Sequence, residues 1–150
     1  MNSDGLALRV ARSMLEREGS GPSWGIEILE ASEGYAKLAM PVREDMLNGY
    51  GSIHGGMIFA LADTAFAYAC NSRNVATVAQ GASIIFLAPA QAGDILLAEA
   101  REEALSGRSG VYSVQIATRD DNRVIAQFQG QSRAIGGSAV EIDDNFKPEH

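Results

Sequence analysis

NGYGSIHGGMIFALADTAFAYACNS, residues 48–72, decides the fold of this chain. From Met57 to Ala69 the run leaves almost no polar face, with Asp63 and Thr64 standing among Met, Ile, Phe, Leu and Ala. A helix that is apolar all round is buried on most of its sides. The rest of the chain must therefore supply what surrounds it.

Downstream, four runs have strand character: 75–87, 94–104, 110–119 and 123–135. Tyr112, Val114 and Ile116 alternate with Ser113 and Gln115, and Val124, Ala126 and Phe128 alternate with Gln127 and Gln129, so each run carries one apolar face. The breaks at 89–93, 106–107 and 120–122 read as hairpins or short loops. Upstream, WGIEILEASEGYAKLAMPV (24–42) predicts two strands turning near Glu33-Gly34. Residues 5–18 predict an amphipathic helix, with Leu6, Val10 and Met14 four residues apart and Leu15 beside them, ended by the Gly/Pro/Ser cluster at 19–23. Strands with one face to bury and a helix with no polar face combine as an α+β fold, an antiparallel sheet wrapped around one long buried helix.

A length of 150 residues at 46% hydrophobic composition suits one domain, expected over 1–137 and followed by a mobile acidic tail at 138–150. A net charge of −7 argues against a nucleic-acid or anionic-membrane partner, since either favours a basic face. Cys70 is the single cysteine and closes no disulfide within the chain. No basic-then-apolar leader and no run of bilayer length is present, so the cytoplasm is the expected compartment. His54 and the terminal His150 do not build a His/Cys metal site, and neither a metal nor a separate cofactor is expected.

Asp63 is the anomaly. A buried unpaired carboxylate is costly, so it is neutralised, hydrogen-bonded by Thr64 or the backbone, or kept for chemistry. Gly55 and Gly56 open the helix, where unpaired N–H groups and the positive end of the helix dipole face a ligand, and the missing side chains admit a close approach. That arrangement suits an oxyanion hole. Read more plainly, Gly-Gly is a turn and His54 a cap. Eight residues at a rise of about 1.5 Å put Asp63 roughly 12 Å from Gly55, too far to act on one carbonyl held there. Two antiparallel helices in a two-fold dimer would bring Asp63 of one chain to the helix start of the other.

These residues carry a resemblance. Asn48, Gly51, His54-Gly55-Gly56 and Leu61-Ala62-Asp63, with AYACNS at 67–72, FLAPAQAGD at 86–94, GVYSV at 110–114 and AIGG at 134–137, resemble the hotdog-fold acyl-CoA thioesterases, in particular the phenylacetic acid degradation (PaaI-type) branch. The resemblance covers roughly residues 8–137 and implies a hotdog fold in a dimer of dimers, a homotetramer with shared active sites. It implies hydrolysis of aryl or arylacetyl-CoA, with a leaning toward hydroxyphenylacetyl-CoA, the coenzyme A being part of the substrate. By position, Asp63 resembles the nucleophile or general base and the Gly55 N–H the oxyanion donor. His54 and Asn48 resemble residues that hold the thioester or the attacking water. Gly56, Tyr50, Thr64 and Arg108 are further candidates for substrate contact, and Arg73 and Arg133 stand beside Arg108 as possible phosphate partners. Related enzymes often carry a hydroxyl on the strand after the helix, where this chain has Ala79, with Thr77 and Ser83 nearby. A hotdog hydratase or dehydratase and a non-catalytic acyl-CoA-binding module are the competing readings. A dinucleotide-binding loop is disfavoured, because His54 replaces the third glycine of that fingerprint and no βαβ alternation follows.

Overall fold

The computed structural model describes residues 2–142. A helix α1 (Ser3–Arg17) and a single turn α2 (Ser20–Ser23) lead into strands β1 (Glu27–Ser32) and β2 (Tyr35–Pro41). After a 3-10 turn at Glu44–Met46 comes the long helix α3 (Gly55–Cys70), then β3 (Thr77–Phe86), β4 (Ile95–Ser106), β5 (Ser109–Thr118) and β6 (Val124–Ala134). The expected bounds of α1 and of the last four strands agree to within two residues. The α2 turn and the 3-10 turn went unforeseen, because a Gly/Pro/Ser cluster and a three-residue turn carry no periodicity. The buried face of α1 is Ala7, Val10 and Ala11. Leu6 and Met14 flank it half-buried rather than forming its centre.

One antiparallel sheet runs in the order β1-β2-β4-β5-β6-β3. The break at 106–107 is a hairpin and so is that at 120–122. The break at 89–93 is a loop, since β3 pairs with β6 at the far edge of the sheet and β4 returns to pair with β2. This crossover carries the chain from one edge of the sheet back to its middle, beside β2. The helix packs against all six strands, most closely against β4, β2 and β5 and least against β1. Phe66 sits at the centre, its ring centroid 5.5 Å from that of Tyr112 and 5.9 Å from that of Phe128. Gly130 on β6 makes this possible, because a Cβ there would stand 2.8 Å from the Phe66 ring.

The sheet covers only one side of α3, so the helix is less enclosed than its composition suggests. Gly56 and Phe59 are exposed, and Ala60, Asp63, Thr64 and Ala67 are half-buried. They form a continuous stripe at the three- and four-residue spacing of one helix face. Next to it lies the edge strand β3, where Val78, Ile85, Phe86 and, just beyond, Leu87 are exposed. Of the expected tail, residues 138–142 are described. Val140 is buried, its N–H donating to Asn74 Oδ1 at 3.0 Å while Asn74 Nδ2 donates to the Val140 carbonyl at 3.2 Å. The remainder of that expectation concerns residues 143–150, outside the described residues. Among the described residues no helix is long and apolar enough to cross a membrane.

Candidate active site

The segment before α3 is a tight turn that fixes Asn48. Leu47 and Ile53 bridge, the Asn48 N–H donates to the Ser52 carbonyl at 2.8 Å, and Gly51 closes the turn with φ +80°, a conformation that favours glycine. Asn48 Oδ1 accepts from the Tyr50 N–H at 2.9 Å, the Ser52 N–H at 3.3 Å and the Ser52 hydroxyl at 3.4 Å. Three donors on one oxygen fix which way the amide points. Its NH₂ group, two donors with no partner among the described residues, remains available.

The same accounting at the helix start singles out one backbone donor. Of the first four N–H groups of α3, that of Gly56 donates to His54 Nδ1 at 2.8 Å, and those of Met57 and Ile58 donate to the His54 carbonyl at 2.9 and 3.3 Å. The Gly55 N–H has no partner among the described residues. His54 is therefore the N-cap, and its capping leaves Gly55 as the open donor. Asn48 and Gly55 line one cleft of about 410 Å³ with Ile58, Phe86 and Leu87. A Cβ on Gly55 would stand 3.1 Å from the Phe86 ring, so the glycine admits the aromatic wall as well as a ligand oxygen.

Asp63 lies on the open stripe of α3, half-buried. It accepts no hydrogen bond among the described residues, and burial alone raises its pKa above the ordinary 3.8. Thr64 does not satisfy it, since the Thr64 hydroxyl donates to the Ala60 carbonyl at 2.7 Å. A carboxylate partly stripped of water and given no donors is a stronger base than one in solution. Its folded pKa exceeds its unfolded one, so the stabilising contribution is that of the protonated form. This contribution is complete below the unfolded value and lost as pH rises through the folded value. Asp63→Asn is accordingly expected to raise the thermal midpoint at pH 7, with the gain shrinking as pH falls toward 4. Melting curves of both proteins at the two pH values check this, and a gain independent of pH contradicts it.

The structure brings Asn48 and Gly55 together at one cleft, while His54 and Gly56, exposed on either side of Gly55, do not line it. Asp63 and Thr64 lie two turns further along the same helix, outside the cleft. Tyr50 is 97% exposed and stands clear of it. Arg108 is at the opposite end of α3, on the β4–β5 hairpin, where it lines a second cavity. Arg73 is committed elsewhere, paired with Glu33 and Glu102 at 2.7 Å each. Phe86 went unrecognised as a wall of the site because it adjoins Gly55 only through the crossover of β3. Ala79, where a hydroxyl was sought, pairs in register with Ser132 of β6.

Comparison with known proteins shows the family of the chain. The model of the thioesterase superfamily matches residues 50–125. The acyl-coenzyme A thioesterase PaaI of Escherichia coli (strain K12) is 44% identical over 128 residues, covering 85% of this chain and 91% of the relative. A putative esterase of Archaeoglobus fulgidus is 36% identical over 121 residues, covering 81% of this chain and 73% of the relative. Among solved structures, the E. coli PaaI protein from the phenylacetic acid degradation operon matches with a TM-score of 0.89 at 42% identity, covering 91% of this chain and 99% of that one.

Proposed function

The chain belongs to the thioesterase superfamily, and on that footing we propose that it is an acyl-CoA thioesterase hydrolysing aryl and arylacetyl thioesters, hydroxyphenylacetyl-CoA foremost. The observation that carries this reading is the open Gly55 N–H beside the unpartnered Asn48 amide, with a donor-less carboxylate on the bare face of the same helix. A thioester carbonyl needs only polarisation and a base, so the route requires neither a triad nor a metal.

In this reading the carbonyl oxygen accepts from the Gly55 N–H, with the Asn48 amide donating beside it to the carbonyl or to the attacking water. The partner subunit's Asp63 takes the proton of that water as it adds to the carbonyl carbon and the C–S bond breaks to release the coenzyme A thiolate, which takes up that proton; or the carboxylate itself displaces the thiolate to give an anhydride that water then opens to the free acid and the restored carboxylate. Both routes need the carboxylate ionised. The dimer is supported by three features of one chain: the separation of Asp63 from Gly55, the bare stripe of α3 and the apolar edge strand β3. By resemblance two such dimers form a homotetramer.

A hydratase would use a histidine as acid or base on the acyl chain, whereas His54 Nδ1 is occupied by the Gly56 N–H. A purely binding module has no use for a carboxylate raised by burial and left without donors. The E. coli relative comes from a phenylacetic acid degradation operon, which supports an arylacetyl substrate for this chain. Phe86 in the cleft wall and Phe59 on the open stripe supply flat apolar surface.

Thiol release from acetyl, hexanoyl, palmitoyl, benzoyl, phenylacetyl and hydroxyphenylacetyl thioesters tests the proposal. Hydroxyphenylacetyl-CoA is expected to exceed palmitoyl-CoA in kcat/KM by about tenfold or more, with a graded fall over related acyl groups, as a misplaced methylene is worth only about 1–3 kcal/mol. Preference for the long chains would defeat the arylacetyl assignment. Absence of thiol release from every substrate would defeat the hydrolytic one.

A further inference from the structure

A second cavity, of about 200 Å³, lies at the far end of α3, between its last turn, the start of β3 and the β4–β5 hairpin. Cys70, Val75, Leu105 and Tyr112 give it apolar walls, Arg108 stands on the hairpin, and Ser132 of β6 is part of the lining. Two features mark this space as kept for a ligand.

The first is Ser132. It is only 2% exposed, yet its hydroxyl makes no hydrogen bond among the described residues. Among the described residues every fully buried side-chain N or O atom has a partner, so this unpaired hydroxyl opens onto the cavity, where a partner can come from. The second is Gly110, the register partner of Ser132. Its φ lies outside the left-handed region, so the backbone does not demand glycine. A Cβ there would stand 2.6 Å from Ser132 Oγ and 2.8 Å from Leu105 Cδ2. The missing side chain leaves room for the Ser132 hydroxyl and for Leu105, both of which line the cavity.

The cavity is also at the right distance from the chemistry. Cys70 follows Asp63 by seven residues, two turns along the same side of α3 and about 10 Å. Burial pushes the Cys70 thiol up to about 12, and the charge of Asp63 adds to the rise. In a hydroxyphenylacetyl group the carbonyl carbon lies about 7 Å from a para hydroxyl oxygen at ordinary bond lengths. With about 3 Å between Asp63 and the reacting carbon, the two spans match.

We propose that this cavity receives the ring of the acyl group, on the subunit that contributes Asp63, and that Ser132 Oγ is the hydrogen-bonding partner of the ring hydroxyl. This rests on the arylacetyl reading above. Ser132 is then a specificity-determining residue, and a cavity of about 200 Å³ admits one substituted ring but not a long chain.

The test compares 4-hydroxyphenylacetyl-CoA with phenylacetyl-CoA in the wild type and in Ser132→Ala. The preference for the hydroxylated substrate, as the ratio of kcat/KM values, is expected to fall about tenfold in the variant. An equal loss on both substrates would mean that Ser132 is structural, or that the cavity holds a phosphate of coenzyme A, and would overturn the assignment. An unchanged ratio overturns it too. A wild-type enzyme that turns over phenylacetyl-CoA well without preferring the hydroxyl removes the role of Ser132 and leaves the arylacetyl reading standing. Failure of that reading shows separately, as a wild-type preference for palmitoyl-CoA. Should Ser132→Ala lose its fold, Gly110→Ala, which sets a methyl against Oγ, is expected to lower the same ratio.

Discussion

Asp63→Asn is expected to fold, to bind acyl-CoA as tightly as the parent, and to lose hydrolysis by about 10²- to 10⁴-fold, the span that a positioned general base contributes. The substitution keeps shape and volume and removes only the charge. Binding is expected to be spared because the donors proposed to hold the thioester, the Gly55 N–H and the Asn48 amide, belong to a cleft that Asp63 of the same chain does not line. The parent should also show an acid limb in kcat/KM above the ordinary carboxylate value of 3.8, since burial raises the group that must be ionised. That limb should disappear in the variant. Turnover within a few-fold of the parent would exclude Asp63 from the chemistry. Asp63→Ala is a weaker test, because it opens a cavity and removes the charge together.

The core of this fold is legible in residues 57–69, because a helix with no polar face calls for a sheet, and the alternation around Val114 and Phe128 provides one. Strand bounds follow from the same alternation. What periodicity does not carry is the partner of each strand. The placement of β3 beside β6 rather than β4 is long-range, and it alone brings Phe86 to Gly55 and Ala79 to Ser132. The openness of α3 was likewise hidden, since the residues that line its bare stripe, Phe59, Ala60 and Ala67 among them, read as core in one dimension. The site divides in the same way. The types His54, Gly55, Gly56 and Asp63 and their spacing point to an oxyanion hole and a distant base. Which N–H stays open is decided by His54 Nδ1 taking that of Gly56, and the direction of the Asn48 amide by the Tyr50 and Ser52 donors. These are outcomes of local geometry that residue types alone do not express.

Mixing two inactive variants is expected to restore about a quarter of wild-type activity. The reasoning starts from the helix: Gly55 and Asp63 are eight residues apart on α3, about 12 Å, and reacting groups must come within about 3 Å. On the proposed reading one chain contributes half of each of two sites, and an isologous dimer would complete both. In a heterodimer of Asp63→Asn with Asn48→Ala, the site joining the intact Asn48 and Gly55 of the first chain to the intact Asp63 of the second is whole. The other site carries both lesions. Free exchange of equal amounts makes about half of the dimers heterodimers, each with one working site of two, hence about one quarter of the parent rate. The variants are purified separately with distinct tags, assayed alone, mixed under conditions that dissociate and reform the dimer, and assayed again. Tandem capture on both tags verifies the exchange. Activity equal to the sum of the separate variants, with heterodimers captured, would mean that each chain carries a complete site. The bare stripe of α3 and the apolar edge of β3 would then need another occupant.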